Sequence, residues 1–442
     1  MKLKILFLGK LPPIQGGVSS QNLSTLNSLV LKGHEIYVVS NAQEVEPNYR
    51  QVWFGDDKHV LDDLLNGAKY GQLQPVKENS YVPWAAPYTT QLLGASIEIL
   101  SSTKIDLIYA SYFEPYGVVG GILAKDFKVP LFVRHAGSDL GKLSMNTNLA
   151  STYRYFLSTA SAIFTNRKSI SVVERLDALL TDDAPRISLL PSTLPPYFFS
   201  STGRLNIELV DQATKDLIPV LPESNFSRCL NHGLQSRFRE DSPTIGFYGK
   251  VGDVKGTLVL LRSLQRLAAS SLEFNVLGLI GGREDQLAAV ADLLDSDPEL
   301  ASRCKLMPFV APWRIPQFLA RCDVVCCLEN NFPIAFHAPR MAREAFAAGK
   351  CVLLSSEATD RLAFGNSISN ENNALVVSAS KFEDDLISAL SYAIRDKSER
   401  ERIATHGRLL SNTYESGLSK SDSISDAIED LAVELLEMKL SK

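Results

Sequence analysis

Thr244-Ile245-Gly246-Phe247-Tyr248-Gly249-Lys250-Val251-Gly252-Asp253-Val254-Lys255-Gly256 runs a short apolar strand into a glycine-rich turn that holds two lysines. An amphipathic run from Leu258 to Ala269 follows at once. Strand, glycine turn and helix in that order predict one unit of a parallel, helix-covered sheet, with the turn at the carboxyl end of its strand. Glycine lets backbone N–H groups approach an anion closely, and the N-terminus of the next helix adds positive potential. Gly249, Lys250 and Lys255 therefore read as a cradle for a diphosphate, the lysines neutralising charge that builds up as a phosphate leaves. The plainer alternative is a pair of solvated lysines on a surface turn.

The pattern repeats on both sides of this stretch. Downstream, apolar runs at 274–280, 304–309, 323–328, 351–355 and 374–377 alternate with helical patterns, and one long helix is expected over 383–410. Upstream, runs at 5–8, 35–40, 105–110, 131–134 and 162–165 do the same. Helices are expected there over 21–32, ending at the C-cap glycine Gly33, and over 117–125. This predicts an α/β protein of two Rossmann-like doubly wound domains, 1–195 and 243–415, facing across a cleft. The site belongs at the carboxyl ends of the strands. Pro191, Pro195, Pro196 and the polar run 223–241 mark 196–242 as linker and insertion, with a helical piece over 208–217. The final amphipathic pattern, 424–440, is expected to pack back on the first domain.

Bulk properties narrow the function. A chain of 442 residues with 45% hydrophobic and 21% charged residues has an ordinary globular composition. Its net charge of -5 argues against a nucleic-acid partner and gives no support for general attraction to anionic membranes. A peripheral contact through a local basic patch, at the inner face of the membrane, stays open. Cys229, Cys304, Cys322, Cys326, Cys327 and Cys351 form no paired Cys-x-x-Cys motif, so no zinc site is expected. Cys326 and Cys327 lie in an apolar run and read as buried thiols of a reducing, cytoplasmic compartment. The apolar start is too short for a signal peptide and is interrupted by Lys10 and Pro12-Pro13, so it reads as a first buried strand. No run approaches the roughly twenty apolar residues of a membrane span. The Gly-x-Gly-x-x-Gly fingerprint of a nicotinamide site is missing. Asp295-Ser296-Asp297 has the form of a metal-binding Asp-x-Asp but ends a helical pattern before Pro298, so it reads as a helix terminus and no catalytic metal is expected.

Five segments, taken in order, resemble the retaining glycosyltransferases of the GT-B fold, in particular the family-4 group also described as glycosyl transferases group 1. Gly9-Lys10-Leu11-Pro12-Pro13-Ile14-Gln15-Gly16-Gly17 is similar to that family's first glycine loop. Arg134-His135-Ala136-Gly137-Ser138-Asp139 is similar to its His-Gly-Ser-Asp segment, and Gly249-Lys250 with Lys255-Gly256 to its Gly-Arg…Lys-Gly donor loop. Gly278-Leu279-Ile280-Gly281-Gly282 resembles the next strand and loop, and Glu344-Ala345-Phe346-Ala347-Ala348-Gly349 the Glu-Ala-Met-Ala-x-Gly helix. Three positions depart from the pattern. Lys250 stands where arginine is usual, which keeps the charge and loses the bidentate fork. Of two glutamates eight apart, Glu344 fills the second place and Phe336 the first, so backbone groups or His337 would have to contact the sugar. Leu190-Pro191-Ser192-Thr193-Leu194-Pro195 replaces an Asn-Gly-Val-Asp-like turn.

The resemblance implies transfer of a sugar from a nucleoside-diphosphate sugar to an acceptor hydroxyl, with retention and without a further cofactor. The donor would sit mainly on the second domain and the acceptor on the first. Polysaccharide or glycoconjugate biosynthesis is the associated setting. Glu344 would accept hydrogen bonds from the ribose, and His135 would contact the donor sugar near its reacting face. Gly16 and Gly17 would face the diphosphate and the nearby acceptor. His135 and Asp139 follow the run 131–134, where a strand-end loop collects site residues; a satisfied imidazole and a helix N-cap are the alternatives. Glu114 reads as an acceptor contact or a surface carboxylate, and His337 has the same standing. Tyr81, Trp84 and Tyr88 line an acceptor groove or belong to the core. A phosphorylase or epimerase on the same fold, or a non-catalytic sugar-binding relative, remains open. Base, sugar, acceptor, linkage and oligomeric state are not written in the sequence.

Overall fold

The computed structural model describes every residue except 1, 41–44, 72–87, 166–169, 181–184, 190–192, 271, 335–336, 379–381, 419–422 and 441–442. Among the described residues the strands are β1 (Lys4–Gly9), β2 (Glu35–Val39), β3 (Gln51–Val52), β4 (Lys69–Tyr70), β5 (Leu107–Ser111), β6 (Leu131–Arg134), β7 (Ala162–Thr165), β8 (Arg186–Leu189), β9 (Thr244–Val251), β10 (Asn275–Gly282), β11 (Cys304–Val310), β12 (Val324–Cys327), β13 (Cys351–Ser355) and β14 (Leu375–Val377). They form two seven-stranded sheets, in the orders β4-β2-β1-β5-β6-β7-β8 and β14-β13-β12-β9-β10-β11-β3. Every pairing within them is parallel. Parallel strands covered on both faces carry continuous apolar runs, which is why β10 and β11 are buried along their whole length. Each sheet separates two apolar clusters, one under the helices of each face. This is an α/β protein of two doubly wound, Rossmann-like sheets.

Strand order reverses direction between β1 and β5 in the first sheet and between β9 and β12 in the second. Loops leaving neighbouring strands at such a point splay to opposite faces and open a crevice at the strands' carboxyl ends. The segments after β1, β5, β9 and β12 thus take the positions where a ligand site forms.

Three details exceed or correct the expectations from periodicity. First, β3 comes from the N-terminal half yet pairs with Phe309 and Val310 at the edge of the second sheet. Its neighbour Asp57, 1% exposed, accepts from Trp313 Nε1 at 2.7 Å and Arg314 Nε at 2.8 Å. Second, the long helix expected over 383–410 is two helices, Phe382–Arg395 and Lys397–Gly417. Asp396 breaks it by leaving helical φ/ψ and capping the second helix through Glu399 N–H. Third, residues 196–242 hold the helix Ile207–Leu217 and also Asn225–Gln235, which packs Gly233 against the backbone of Leu306 in β11. The helix Ile424–Leu440 lies against Gly17–Leu31, with Lys32 donating to Asp426 and Glu429. No described helix is long and apolar enough to cross a membrane. All six cysteines are free and buried.

Candidate functional site

The loop after β1 leads into the helix Gly17–Leu31 through Gly16, whose φ of +127° disfavours any side chain. Asn22, on that helix, donates to the Lys10 carbonyl at 2.9 Å and accepts from Ser111 Oγ at 2.7 Å. It thereby locks the ends of β1 and β5 together. Lys10 is half-buried, with its ammonium 4.3 Å from the centre of the Tyr112 ring. Burial and the charge of Lys250 lower its pKa, with Asp139 opposing them. No carboxylate pairs with Lys10 or Lys250 among the described residues.

The donor-loop residues come from β9 and the turn beyond it. Gly249 has a φ of +131°. Gly256 is left-handed, and a Cβ there would lie 2.5 Å from the Leu328 carbonyl, so the turn is pressed against the end of β12. Lys250 reaches solvent over the Tyr49 ring, while the surrounding protein and the charge of Lys255 lower its pKa. Lys255 lies over Phe332, 4.3 Å from the ring centre, and its ammonium donates to Glu329. Glu329 also accepts from His337 Nε2 at 3.0 Å, and the His337 ring stacks on Phe332. Burial alone would raise the Glu329 pKa, but the His337 hydrogen bond and the Lys255 charge bring it down to about 2. Glu329 is thus ionised at every physiological pH.

Glu344 lies in the helix Arg340–Ala347, 6% exposed. One oxygen accepts from Arg340 Nε at 2.7 Å and the other from the Tyr248 hydroxyl. A carboxylate has about four acceptor positions, so both partners leave room for a diol. The Arg340 side chain runs over Gly17, 3.7 Å from where a Cβ would stand. Arg134 Nη1 and Arg340 Nη2 are buried and have no hydrogen-bond partner among the described residues.

On the first sheet, His135 and Asp139 follow β6 and are almost fully buried. His135 engages the Ala136 carbonyl through Nδ1 and Thr165 Oγ1 through Nε2, at 3.3 and 2.8 Å. Burial and the Arg134 charge lower its pKa to about 4. The imidazole is neutral and fits the satisfied-histidine alternative as well as a site role. Asp139 accepts from the backbone N–H groups of Phe113, Ala136 and Leu140. Burial outweighs those bonds and raises its pKa to about 7. It organises the loop 135–139 instead of reaching out of it. Glu114 is half-buried beside that loop, with its pKa raised by burial.

The two halves of the site meet. Ile334 of the loop after β12 packs against the first domain's core, and a Cβ on Gly137 would stand 3.4 Å from it. The structure therefore brings Gly17 beside Arg340 and its partner Glu344, Lys10 beside Lys250, and the loop that holds His135 and Asp139 against Ile334. Phe336, Tyr81 and Trp84 lie outside the described residues, as does the side chain of Tyr88. Lys10, Arg134, Glu329 and Arg340 lie beside the predicted site residues and were not singled out from sequence. Each had a signal: Lys10, Arg134 and Glu329 stand within two residues of a strand's end at the crevice, and Arg340 lies one helical turn before Glu344. Asp295 pairs with Arg228 and His232, and Asp297 caps the helix Pro298–Arg303. No group of three or more His, Cys, Asp or Glu among the described residues could hold a metal ion.

Comparison with known proteins gives this architecture a context. Residues 234–410 match the model of the family Glycosyl transferases group 1. No curated protein is detectably similar in sequence. Among solved structures, Anabaena HepE in complex with UDP-glucose is 16% identical over 100% of both chains, with a TM-score of 0.59. Sucrose-phosphate synthase from Thermosynechococcus elongatus is 14% identical over 100% of this chain and 99% of its own, with a TM-score of 0.61. The catalytic domain of starch synthase IV from Arabidopsis thaliana, bound to ADP and acarbose, is 11% identical over 98% and 99%, with a TM-score of 0.59. At such identities the likeness establishes the fold: the two-sheet arrangement is GT-B.

Proposed function

We infer that this GT-B chain, whose residues 234–410 match the model of glycosyl transferases group 1, moves a sugar from a nucleoside-diphosphate sugar to an acceptor hydroxyl with retention of anomeric configuration. The observation that carries the reading is the set of cations at the crevice. Lys10 and Lys250, from opposite domains, repel each other, neither is ion-paired to a carboxylate among the described residues, and Lys255 stands beside Lys250. Such an arrangement is electrostatically unfavourable until an anion enters, and a diphosphate supplies two negative groups a few ångströms apart.

In this reading the β9 turn and the N-terminus of the following helix hold the diphosphate, and Glu344 accepts from the ribose. As the bond between the anomeric carbon and the phosphate oxygen breaks, that oxygen gains charge and the lysines neutralise it. The acceptor oxygen attacks from the same face, and the leaving phosphate takes its proton. No protein nucleophile is required. The loop 135–139 and Glu114 border the acceptor side, and closure of the cleft limits loss of donor to water. Liganded structures of the same fold carry UDP-glucose in one case and ADP in another, which supports a nucleotide-sugar donor and leaves the base open. We place the activity in polysaccharide or glycoconjugate assembly, in the cytoplasm or peripherally at the inner membrane face, without a resident cofactor or metal.

Calorimetric titration with UDP, GDP, ADP and their common sugar conjugates, with and without EDTA, tests the reading. Micromolar binding of one nucleotide, insensitive to EDTA, is the expected result. No binding of any of them overturns it.

A further inference from the structure

Glu329 does not belong to the segments that resemble the family, yet it occupies the centre of the second sheet's crevice. It stands two residues beyond β12, next to the end of β9, where strand order reverses. It is 4% exposed. One oxygen, Oε1, accepts from both Lys255 and His337. The other, Oε2, is buried and has no hydrogen-bond partner among the described residues. An ionised oxygen removed from water without a donor is unfavourable, and few native carboxylates are left so.

The main chain that carries this carboxylate is fixed. Its own backbone carbonyl accepts from Ser355 Oγ. Two and three positions on, the loop is pinned, because the Asn331 and Phe332 N–H groups donate to Glu357. Arg361 holds the carbonyls of Phe332 and Ile334 at 3.1 and 3.2 Å. Gly256 is pressed on Leu328 from the other side. The group is therefore held in place beneath a loop that crosses to Gly137 of the first domain.

The chemistry of the missing partner follows from what surrounds it. Oε1 already has two donors, the Lys255 ammonium and a His337 ring N–H. A second anion would be repelled by Glu329 itself. An uncharged hydroxyl donor is left. We propose that Glu329 Oε2 binds hydroxyl groups of the donor's sugar, so that the Lys255–Glu329 pair divides the donor: phosphate on the ammonium side, polyol on the carboxylate side. The proposal rests on the donor-cleft reading above. It specifies a neutral sugar with a free hydroxyl at the contacted position, and disfavours a uronate, whose carboxylate would face Glu329.

The test is calorimetry on the full chain and on the variants E329A and E329Q. UDP, GDP and ADP are titrated beside UDP-glucose, GDP-mannose and ADP-glucose, with UDP-glucuronate as the charged control. The quantity read is the affinity for the conjugate divided by that for the diphosphate alone. Loss of a charge-assisted hydrogen bond is expected to lower this ratio about tenfold or more in E329A. The diphosphate itself should bind as well or better, since Lys255 is released to meet it. E329Q is nearly isosteric and gives the same reading should the alanine variant fold poorly. An unchanged ratio in a folded variant overturns the proposal. Equal loss of diphosphate and conjugate binding also overturns it, because Glu329 would then only position Lys255. Failure of the wild-type chain to bind any diphosphate overturns the donor-cleft reading instead.

Discussion

Single side chains in this cleft are governed by how far their charges are removed from water. Lys255 is the clearest case, since its ammonium is paired with the buried carboxylate of Glu329. Lys255→Ala should weaken nucleoside-diphosphate binding about ten- to a hundredfold, the range of a lost charge-assisted bond. Calorimetry measures it, and affinity unchanged within twofold would remove Lys255 from the site. His135 gives a pH signature. Its pKa falls from 6.5 to about 4 on folding, so the folded state favours the neutral ring. The stability this reflects is complete above pH 6.5 and is lost as pH falls through about 4, at most about 3 kcal/mol. Asp139 works in the opposite sense: its pKa rises from 3.8 to about 7, so its share is present at low pH and lost as pH rises through about 7. Denaturant midpoints of wild type and His135→Gln, compared between pH 7 and 4, isolate the histidine. The gap between them should narrow on acidification, and a constant gap would contradict the buried, neutral assignment.

At the scale of elements, close packing decides what periodicity leaves open. The helix Asn225–Gln235 belongs to the insertion between the two sheets, yet it lies so near β11 that a Cβ on Gly233 would fall 1.9 Å from the Leu306 carbonyl. No side-chain rotation relieves a clash with backbone. Gly233→Ala should force the helix outward and destabilise the second domain by about 1–3 kcal/mol. A denaturant midpoint equal to wild type would mean the helix is loosely held. The break at Asp396 shows the reverse limit. A capping side chain, with no proline near it in the sequence, ended a run whose apolar spacing continued, because its carboxylate satisfies Glu399 N–H at the start of a new helix.

For the whole molecule, the tie between the halves lies in residues 47–57. Gln51 N–H donates to the Pro13 carbonyl at 2.7 Å, while β3 joins the edge of the second sheet. Asn48 donates to the Gly282 carbonyl at 2.7 Å. The glycine loop after β1 is thus anchored to the domain that carries the lysine turn. Asp57 holds this seam through Trp313 and Arg314, and Asp57→Ala leaves the buried Trp313 indole N–H and the Arg314 Nε–H without their acceptor. A loss of about 2–4 kcal/mol is expected, with faster hydrogen exchange at Gln51 and Val52. Exchange at those amides equal to wild type would show that the seam holds without Asp57.

Apolar runs and glycine turns were enough to read two parallel, helix-covered sheets, because burial on both faces leaves a continuous local pattern in each strand. The same local logic located the turn of Gly249, Lys250 and Lys255, the loop of His135 and Asp139, and the helix of Glu344. Strands β3 and β4 stayed hidden, since two residues carry no period and β3 is defined only by a partner more than two hundred positions away. Glu329 was hidden for a related reason. A glutamate after an apolar run reads as a solvated strand end, and only the reversal of strand order at β9 and β12 turns it inward against Lys255. Local sequence carries the information for elements because their hydrogen bonds and apolar faces are local. Which charges meet depends on strand order and on contacts across the cleft, and those are properties of the assembled fold.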